Sequence, residues 1–362
     1  MKTKFCFLIA LIFSSSLIYA EPYLAIREGL KCSSCHMNKT GGGQRTQFGA
    51  GFGVQDLPWK NFDLQANHVP MYWSAFNDLL AIGGDFRAIN DSTISDNKIE
   101  TNNFAIQEAE LYLHASLIPD HLSFYADEAV APNGVQSREI FAMVNLPERG
   151  WIKAGKFVLP YGLRLLDDKA FIRGVTGFSF LNPDVGAEIG FEPGNFSFIT
   201  SVTNGTAGTQ DNNTDKQIVG TVAYVPSAFR IGASASYNRG PQQSLAESAG
   251  VWGGFRFHKA ALLGEVDRVR NELNAFEKTD QFVAHAEIDY LIYRGWNVKV
   301  AYEYFDPNTH LAEDQRDRVV VGIEPFITPF FQVSAFYQFN QSIPQDPVGN
   351  TDEFTIQAHI YF

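Results

Sequence analysis

The chain has 362 residues, of which 28 are Lys or Arg and 40 are Asp or Glu, and its formal net charge is −12. An acidic chain lacks the basic surface that nucleic acid requires, so no nucleic-acid partner is expected. Three cysteines in so long a chain also exclude a disulfide-stabilised scaffold.

Residues 1–20 are predicted to form a signal peptide. Lys2 and Lys4 precede an apolar run, and small residues then lead to a cleavage site after Ala20. The run is too short for a spanning helix, although an uncleaved membrane anchor is the alternative. Cys6 lies in this segment, so the exported chain is expected to keep two cysteines, Cys32 and Cys35.

A haem-binding segment is predicted over residues 21–77. Within it, residues 32–36 read Cys-Ser-Ser-Cys-His. Two thiols one helical turn apart can bond to the two vinyl groups at one edge of a porphyrin, and the imidazole that follows can bind the iron. The sequence therefore predicts one covalent c-type haem attached to Cys32 and Cys35, with His36 as the proximal iron ligand.

Two other interpretations of the motif are a redox disulfide, which would not need His36, and a zinc site, which would need further ligands. The sixth iron ligand is predicted to be His68 or Met71, between the motif and the first strand, and Met37 is too close to His36 to reach the opposite face. Five-coordinate or water-ligated iron is an alternative. Further candidates, if the haem lies among the strands, are His114, His258, His285 and His359.

Residues 78–362 are predicted to form an antiparallel transmembrane β-barrel. Apolar and polar residues alternate, as in 108–117 and 296–304, over the length of a membrane-spanning strand. Short turns such as Leu117–Asp120 alternate with long polar loops such as Asp91–Asn103 and Thr206–Lys216. A soluble β-sandwich is the alternative, because it also alternates. We predict about 16 strands, near 79–90, 104–117, 121–129, 138–146, 151–158, 185–192, 195–203, 217–225, 228–238, 250–258, 260–269, 281–292, 295–305, 317–326, 329–339 and 351–362.

One segment, residues 151–174, interrupts the strand rhythm. A strand runs into Pro160 and Gly162, and a charged stretch follows. The segment resembles the inward-folded loop of anion- or phosphate-selective porins. That resemblance implies that a constriction is lined by Arg164, Asp167, Asp168 and Arg173, whereas the alternative is an ordinary external loop.

The order of segments resembles a known architecture. An export signal, the motif of Cys32, Cys35 and His36, a Gly-rich stretch ending in Phe48-Gly49, and a barrel ending in Tyr361-Phe362 are together similar to the fused monohaem cytochrome–porins of the bacterial outer membrane. The terminal aromatic residues resemble those of bacterial outer-membrane proteins. The fused family includes the outer-membrane iron oxidases.

The resemblance implies an electron-transfer protein in contact with outer-membrane lipid. It would pass electrons between an extracellular donor or acceptor, such as Fe(II), and a periplasmic electron carrier, as an iron-oxidising or other extracellular redox protein. The apolar band of such a barrel is about 25 Å tall. Electron tunnelling falls steeply with distance. If a single haem is to connect the two sides, it therefore has to lie within the lumen, and we expect residues 21–77 to plug the lumen. The alternatives are a selective diffusion porin with a haem-containing gate or sensor, and a porin whose motif receives no haem.

Overall fold

The computed structural model describes residues 21–60, 75–77, 79–96, 98–211, 213–241, 244–272, 278–342 and 350–362. The predicted signal peptide and the candidate ligands His68 and Met71 lie outside these ranges. Among the helices within them, none is both long enough and apolar enough to cross a membrane.

Strands dominate the described part of the chain. They are β1 Ala75–Asn77, β2 Leu80–Ser95, β3 Lys98–Ile118, β4 Leu122–Ala131, β5 Gln136–Leu146, β6 Gly150–Phe157, β7 Asp184–Phe191, β8 Phe196–Thr203, β9 Gln217–Tyr224, β10 Phe229–Arg239, β11 Leu245–Phe257, β12 Ala260–Glu272, β13 Lys278–Tyr293, β14 Trp296–Asp306, β15 Arg316–Thr328, β16 Phe331–Gln341 and β17 Asp352–Tyr361. From β2 onward each strand pairs antiparallel with the next, and β17 pairs with β2. Strands β2–β17 therefore close a 16-stranded barrel, as predicted.

The two faces of the barrel have opposite polarity. On β14, the apolar side chains of Val300 and Tyr302 are 40% and 47% exposed, whereas Asn297 and Glu303 are buried. Charged residues thus point into the lumen and apolar residues point outward, which is the arrangement of a barrel in lipid. The alternative of a soluble sandwich is wrong, because a sandwich would bury its apolar side chains in a core, whereas here they are exposed.

Turns at one end of the barrel are short, and the connections at the other end are mostly longer. The turn after β3 and the 3-10 turn Pro147–Arg149 after β5 are of the short kind, and the loop over residues 204–216 is of the long kind. One predicted loop, Asp91–Asn103, is wrong. Strands β2 and β3 continue through it as a paired hairpin, with Asp91 opposite Asn103. Because this hairpin is polar, its residues do not show the alternation of apolar and polar side chains that predicts a strand.

Three short helices precede the barrel strands in the chain: α1 Pro22–Glu28, α2 Cys32–Cys35 and α3 Gln47–Gln55. Their segment contacts lumen-facing side chains and strand ends on opposite sides of the barrel. The Arg27 guanidinium donates to Asn297 on β14 at 2.6 Å, and the Asn38 amide donates to Glu139 on β5 at 2.8 Å. Residues 21–60 therefore lie inside the barrel, and we call them the plug.

Candidate functional site

The connection between β6 and β7, residues 158–183, also folds into the lumen, and we call it the inward loop. The backbone N–H of Leu163 donates to Glu265 at 2.5 Å, and the Tyr161 hydroxyl donates to Asp267 at 2.8 Å, both on β12. A short helix within the loop, α4 Phe171–Thr176, packs against β12, β13 and β14. Of the two predicted alternatives, the inward-folded loop is correct.

Glycine is required where the inward loop turns. Gly162 has a φ of +58°, and a Cβ there would lie 1.8 Å from the Glu265 carboxylate. A side chain is excluded on both grounds. The Pro160-Tyr-Gly162 stretch that interrupted the strand pattern is therefore the sequence signal of this close approach.

The four charged residues predicted to line one constriction are instead distributed around the inward loop. Arg164 points to the plug, where its Nη1 donates to the Thr40 carbonyl at 2.8 Å. Asp167 accepts from Arg318 on β15 at 2.7 Å, and Arg173 is buried and donates to the Phe178 carbonyl. These three residues have separate partners and do not form a ring, and Asp168 lines the two cavities on either side of the loop.

The Cys-x-x-Cys-His motif forms one helical turn followed by a tight reversal. The His36 N–H donates to the Cys32 carbonyl at 3.0 Å, and His36 pairs with Arg45 across the reversal. Three consecutive glycines, 41–43, make that reversal, and all three have positive φ angles. A Cβ on Gly43 would lie 1.7 Å from the Tyr125 hydroxyl oxygen. The Gly-rich stretch thus lets the motif approach the barrel wall closely.

Gly49, in the Phe48-Gly49 pair noted in the sequence, packs helix α3 against the motif. A Cβ at this position would lie 2.2 Å from the Cys35 carbonyl oxygen. The Thr46 hydroxyl caps α3 by accepting from the Gly49 N–H at 3.1 Å. The position of the motif is therefore fixed from both sides, by the glycine reversal and by α3.

Cys32, Cys35 and His36 line one internal cavity of about 1350 Å³, a volume that includes space open to solvent. One wall is the plug, another is the inward loop, and the barrel closes the rest. The cavity extends to Glu192 and Val225, which adjoin the short turns after β7 and β9. Its apolar lining includes Leu24, Leu57, Leu163, Phe180, Ile199 and Trp252.

His36 is buried, and Cys35 is half-buried beside it. His36 is 5% exposed, and its Nδ1 makes no hydrogen bond within the described structure. Burial, followed by the charge of Arg45, lowers the pKa of His36 to about 3, so the ring is in the neutral form that binds metals. Burial raises the pKa of the Cys35 thiol to about 11, whereas redox-active cysteines have lowered pKa values. The redox-disulfide interpretation is therefore disfavoured.

Positive charge collects around this cavity. Four cationic side chains on its lining, Lys31, Lys39, Arg164 and Arg230, form no ion pair with a carboxylate in the described part of the chain. The acidic residues of the lining have other partners. Glu192 accepts hydrogen bonds from Ser33 and Ser197, Glu21 pairs with Lys299, and Glu28 pairs with Arg27. A ligand with an apolar body and negative groups suits this lining, and haem, which carries two carboxylates, fits both the thiols and the charges.

A second cavity of about 810 Å³ lies on the other side of His36 and is strongly charged. Its acidic lining includes Glu108, Glu110 and Asp127, and Arg138 donates to Glu108 at 2.8 Å. A third cavity, of about 1100 Å³, lies beyond the inward loop and includes Asp167, Asp168 and several glutamines.

The other candidate histidines are not at the thiol cavity. His285 and His359 are buried in the lumen, where His285 Nδ1 lies 3.0 Å from Glu303 and His359 pairs with Asp85. His114 is half-buried on β3, and none of the three lines the cavity that contains the thiols. His258 was predicted to face the lumen, which is wrong, because it lies exposed in the turn after β11. Met37 packs against a cluster around Tyr125 and Phe141.

No protein-family model matches this sequence, and no curated protein matches it. Solved structures do match. OmpT of Vibrio cholerae with loop L8 deleted, an outer-membrane protein, is 14% identical with a TM-score of 0.63, over 78% of this chain and 99% of that one. An anion-selective porin from Comamonas acidovorans is 10% identical with a TM-score of 0.60, over 78% and 98%. OmpF of Salmonella typhi, in a complex with daunomycin, is 15% identical with a TM-score of 0.60, over 80% and 99%.

This chain is a porin-like β-barrel of the bacterial outer membrane. The exposed apolar face of its strands contacts the membrane lipid, as predicted. In such barrels the short turns face the periplasm and the longer loops face the outside. The thiol cavity of the porin-like barrel therefore extends toward its periplasmic end.

Sequence reasoning named the two cysteines, His36 and Arg164 but missed four cations of the cavity lining: Lys31, Lys39, Arg45 and Arg230. Lys31 and Lys39 flank the motif, but lysines are common on any exposed segment, so their positions did not indicate a role. Arg230 occupies an ordinary lumen-facing position on β10. Their shared location depends on how the plug docks against the barrel, which local pattern does not reveal.

Proposed function

We propose that this barrel is an outer-membrane electron-transfer protein carrying one covalent c-type haem on Cys32 and Cys35, with His36 as iron ligand. The observation that supports this most directly is that all three side chains line the same internal cavity, inside a barrel that separates it from lipid. This proposal includes membership of the fused cytochrome–porin architecture that the sequence resembles.

The chain's own residues have separable tasks in this proposal. A bound haem would supply one-electron redox chemistry. Cys32 and Cys35 would hold it covalently, His36 would bind the iron, and the apolar lining would limit access of water. The plug and the inward loop would obstruct the lumen, so that solutes would not accompany the electrons. A periplasmic carrier would approach at the short turns, and an extracellular donor or acceptor such as Fe(II) would approach at the other end.

Attachment is tested on protein purified from the outer membrane of cells with a cytochrome c maturation system. We expect a Soret band and a haem-stained band that survives denaturing electrophoresis. A variant with both Cys32→Ser and Cys35→Ser should fold into the membrane but lose the stain. Wild-type protein without Soret absorbance would refute the proposal and would leave a porin whose motif receives no haem.

A second candidate function is a selective diffusion porin in which the haem segment is a gate or sensor. It is favoured by the cavity of about 1100 Å³ beyond the inward loop, whose polar lining includes Gln332, Gln338 and Gln357. Liposomes containing the purified protein distinguish the two functions. Haem reduction by external Fe(II) without leakage of an entrapped solute supports electron transfer. Rapid solute flux with a haem that exchanges no electrons with added donors supports the porin.

A further inference from the structure

We infer that Arg164 on the inward loop, together with Lys39 on the plug, binds the two carboxylate side chains of the porphyrin. The inference rests on the proposed function and adds that the barrel itself, through a porin loop, supplies part of the cofactor site. The ligand class is a pair of carboxylates on an apolar ring.

Arg164 has hydrogen-bond donors that nothing in the described structure satisfies. Its Nη1 donates to the Thr40 carbonyl at 2.8 Å, but its Nε and Nη2 are buried and have no partner. The guanidinium carbon lies over the Phe180 ring, 4.9 Å from its centre. Buried donors are almost always paired, and a guanidinium edge matches a carboxylate with two hydrogen bonds. A carboxylate would supply acceptors for both of these donors.

Lys39 is the second cation without a strong partner. It is half-buried, and it makes neither a hydrogen bond nor an ion pair in the described part of the chain. Burial lowers the pKa of Lys39, and the charge of Glu192 partly opposes that effect. A carboxylate beside the ammonium group would offset the free-energy cost of burying its charge.

The other three cations of the lining already have partners. The guanidinium carbon of Arg45 lies 4.4 Å from the centre of the Tyr361 ring. Lys31 donates to the carbonyls of Gly194 and Phe196, and Arg230 donates to the Leu30 carbonyl at 2.6 Å. These contacts tie the plug to the barrel near the periplasmic turns. Arg164 and Lys39 thus remain as the pair available for the two carboxylates.

The test is a redox titration of the haem in the full-length purified protein, comparing wild type with Arg164→Gln. Positive charge beside the haem carboxylates favours the reduced state, because reduction adds an electron. We expect the equilibrium constant for reduction to fall about tenfold in Arg164→Gln, a midpoint potential about 59 mV lower. Lys39→Gln should shift it in the same direction, and Arg164→Lys should retain most of the wild-type potential.

The matched control is Arg268→Gln, because Arg268 is 61% exposed in an ion pair with Asp280 and is absent from the cavity lining. Its potential should equal that of the wild type. A wild-type protein without haem defeats the proposed function. A haem-containing protein whose potential is the same in Arg164→Gln and Arg268→Gln overturns this inference alone. If Arg164→Gln retains no haem, Arg164→Lys decides: restored haem supports the inference, and absence of haem in a folded Arg164→Lys barrel overturns it.

A free anion from solution could also occupy the Arg164 site. If the carboxylates of the porphyrin hold it, the wild-type potential will not change when inorganic phosphate is added at constant ionic strength. A wild-type potential that changes with phosphate, while that of Arg164→Gln does not, would assign the site to a free anion and overturn the inference.

Discussion

At the scale of single residues, Lys153 is a fully buried cation that connects the plug to the barrel wall. Its ammonium is fully buried on β6 and donates to Asn38 at 3.1 Å and to Thr40 at 3.2 Å, both on the plug. The same group pairs with Glu188 on β7 at 3.2 Å. The ammonium group thus donates hydrogen bonds to two plug residues and also neutralises the Glu188 carboxylate.

We predict that Lys153→Met destabilises the protein strongly, because Glu188 would become a buried charge without its cation. Breaking a buried ion pair costs about 3–5 kcal/mol. Urea unfolding, monitored by tryptophan fluorescence, should therefore show a lower midpoint for the variant. Lys216→Met is the control, since Lys216 pairs with Asp211 in an exposed loop and such pairs contribute at most about 1 kcal/mol. Equal midpoints for the two variants would contradict the role of Lys153.

Asp168 on the inward loop makes the stability of the protein depend on pH. Burial, followed by the charge of Glu108, raises the pKa of Asp168 from 3.8 to about 6, while Arg173 and Arg138 oppose the shift and Asp167 adds to it. The folded state therefore holds a proton that the unfolded chain releases at lower pH. Stability that depends on this carboxyl is greatest below pH 3.8 and is lost as the pH rises to about 6.

We predict that Asp168→Asn is more stable than wild type above about pH 6, by about 1–3 kcal/mol, because the amide carries no charge to bury. The gain should disappear as the pH falls toward 4. Urea unfolding at several pH values measures it. Asp120→Asn, in an exposed turn, is the control and should show no such dependence. A gain that is independent of pH would exclude titration of Asp168 as its cause.

The motif residues could be predicted from sequence because covalent haem attachment needs particular residue types at fixed spacing. Cys32, Cys35 and His36 are close in the chain, so local pattern is enough to group them. The partners of Arg164 could not be predicted in this way. Thr40 and Arg164 are 124 positions apart, and docking of two separate segments brings them together.

At the scale of elements, the inward loop depends on the conformation of Gly162. We predict that Gly162→Ala displaces the loop, because the new Cβ would meet Glu265 at 1.8 Å and would require a left-handed backbone. The conductance of single barrels in a planar bilayer should then increase.

The matched control for Gly162→Ala is Gly174→Ala. Gly174 lies in the same loop, in α4, and a Cβ there meets nothing within 4 Å. Its conductance should remain that of the wild type. An unchanged conductance in Gly162→Ala would mean that the loop does not restrict the lumen.

Alternation of apolar and polar residues predicted all sixteen barrel strands, most of them to within three residues. The prediction of β7 as 185–192 compares with Asp184–Phe191, and that of β14 as 295–305 compares with Trp296–Asp306. The larger errors are at β2, β3 and β11, whose ends extend farther than predicted. Because these ends are rich in polar and small residues, they lack the apolar alternation that a lipid-facing strand shows.

At the scale of the whole molecule, the lumen is filled from two directions. The plug is the N-terminal segment of the described chain. The inward loop runs from β6 across the lumen and contacts β12, β13 and β14. The thiol cavity lies between them and extends to the short turns after β7 and β9. Access to the thiols is therefore unequal from the two sides of the membrane.

We predict that Cys32 in haem-free protein reacts with a membrane-impermeant maleimide from the periplasmic side and not from outside. Haem-free protein is obtained from cells that lack cytochrome c maturation. Intact cells should show little labelling, and opening the outer membrane should increase it at least tenfold. The control is Asp215→Cys in a background of Cys32→Ser and Cys35→Ser, because residue 215 is exposed in the long loop after β8. It should label in intact cells.

The direction of access decides which partner can approach the site most closely. If the thiols were labelled equally from both sides, the plug and the inward loop would not separate the two compartments, and the barrel would act as an open pore. If they were labelled only from outside, the short turns would not be periplasmic, or the cavity would open through the loops. Labelling confined to the periplasmic side places the cavity nearer to a soluble periplasmic carrier, so the longer route to the outside would run through the charged cavity beyond His36.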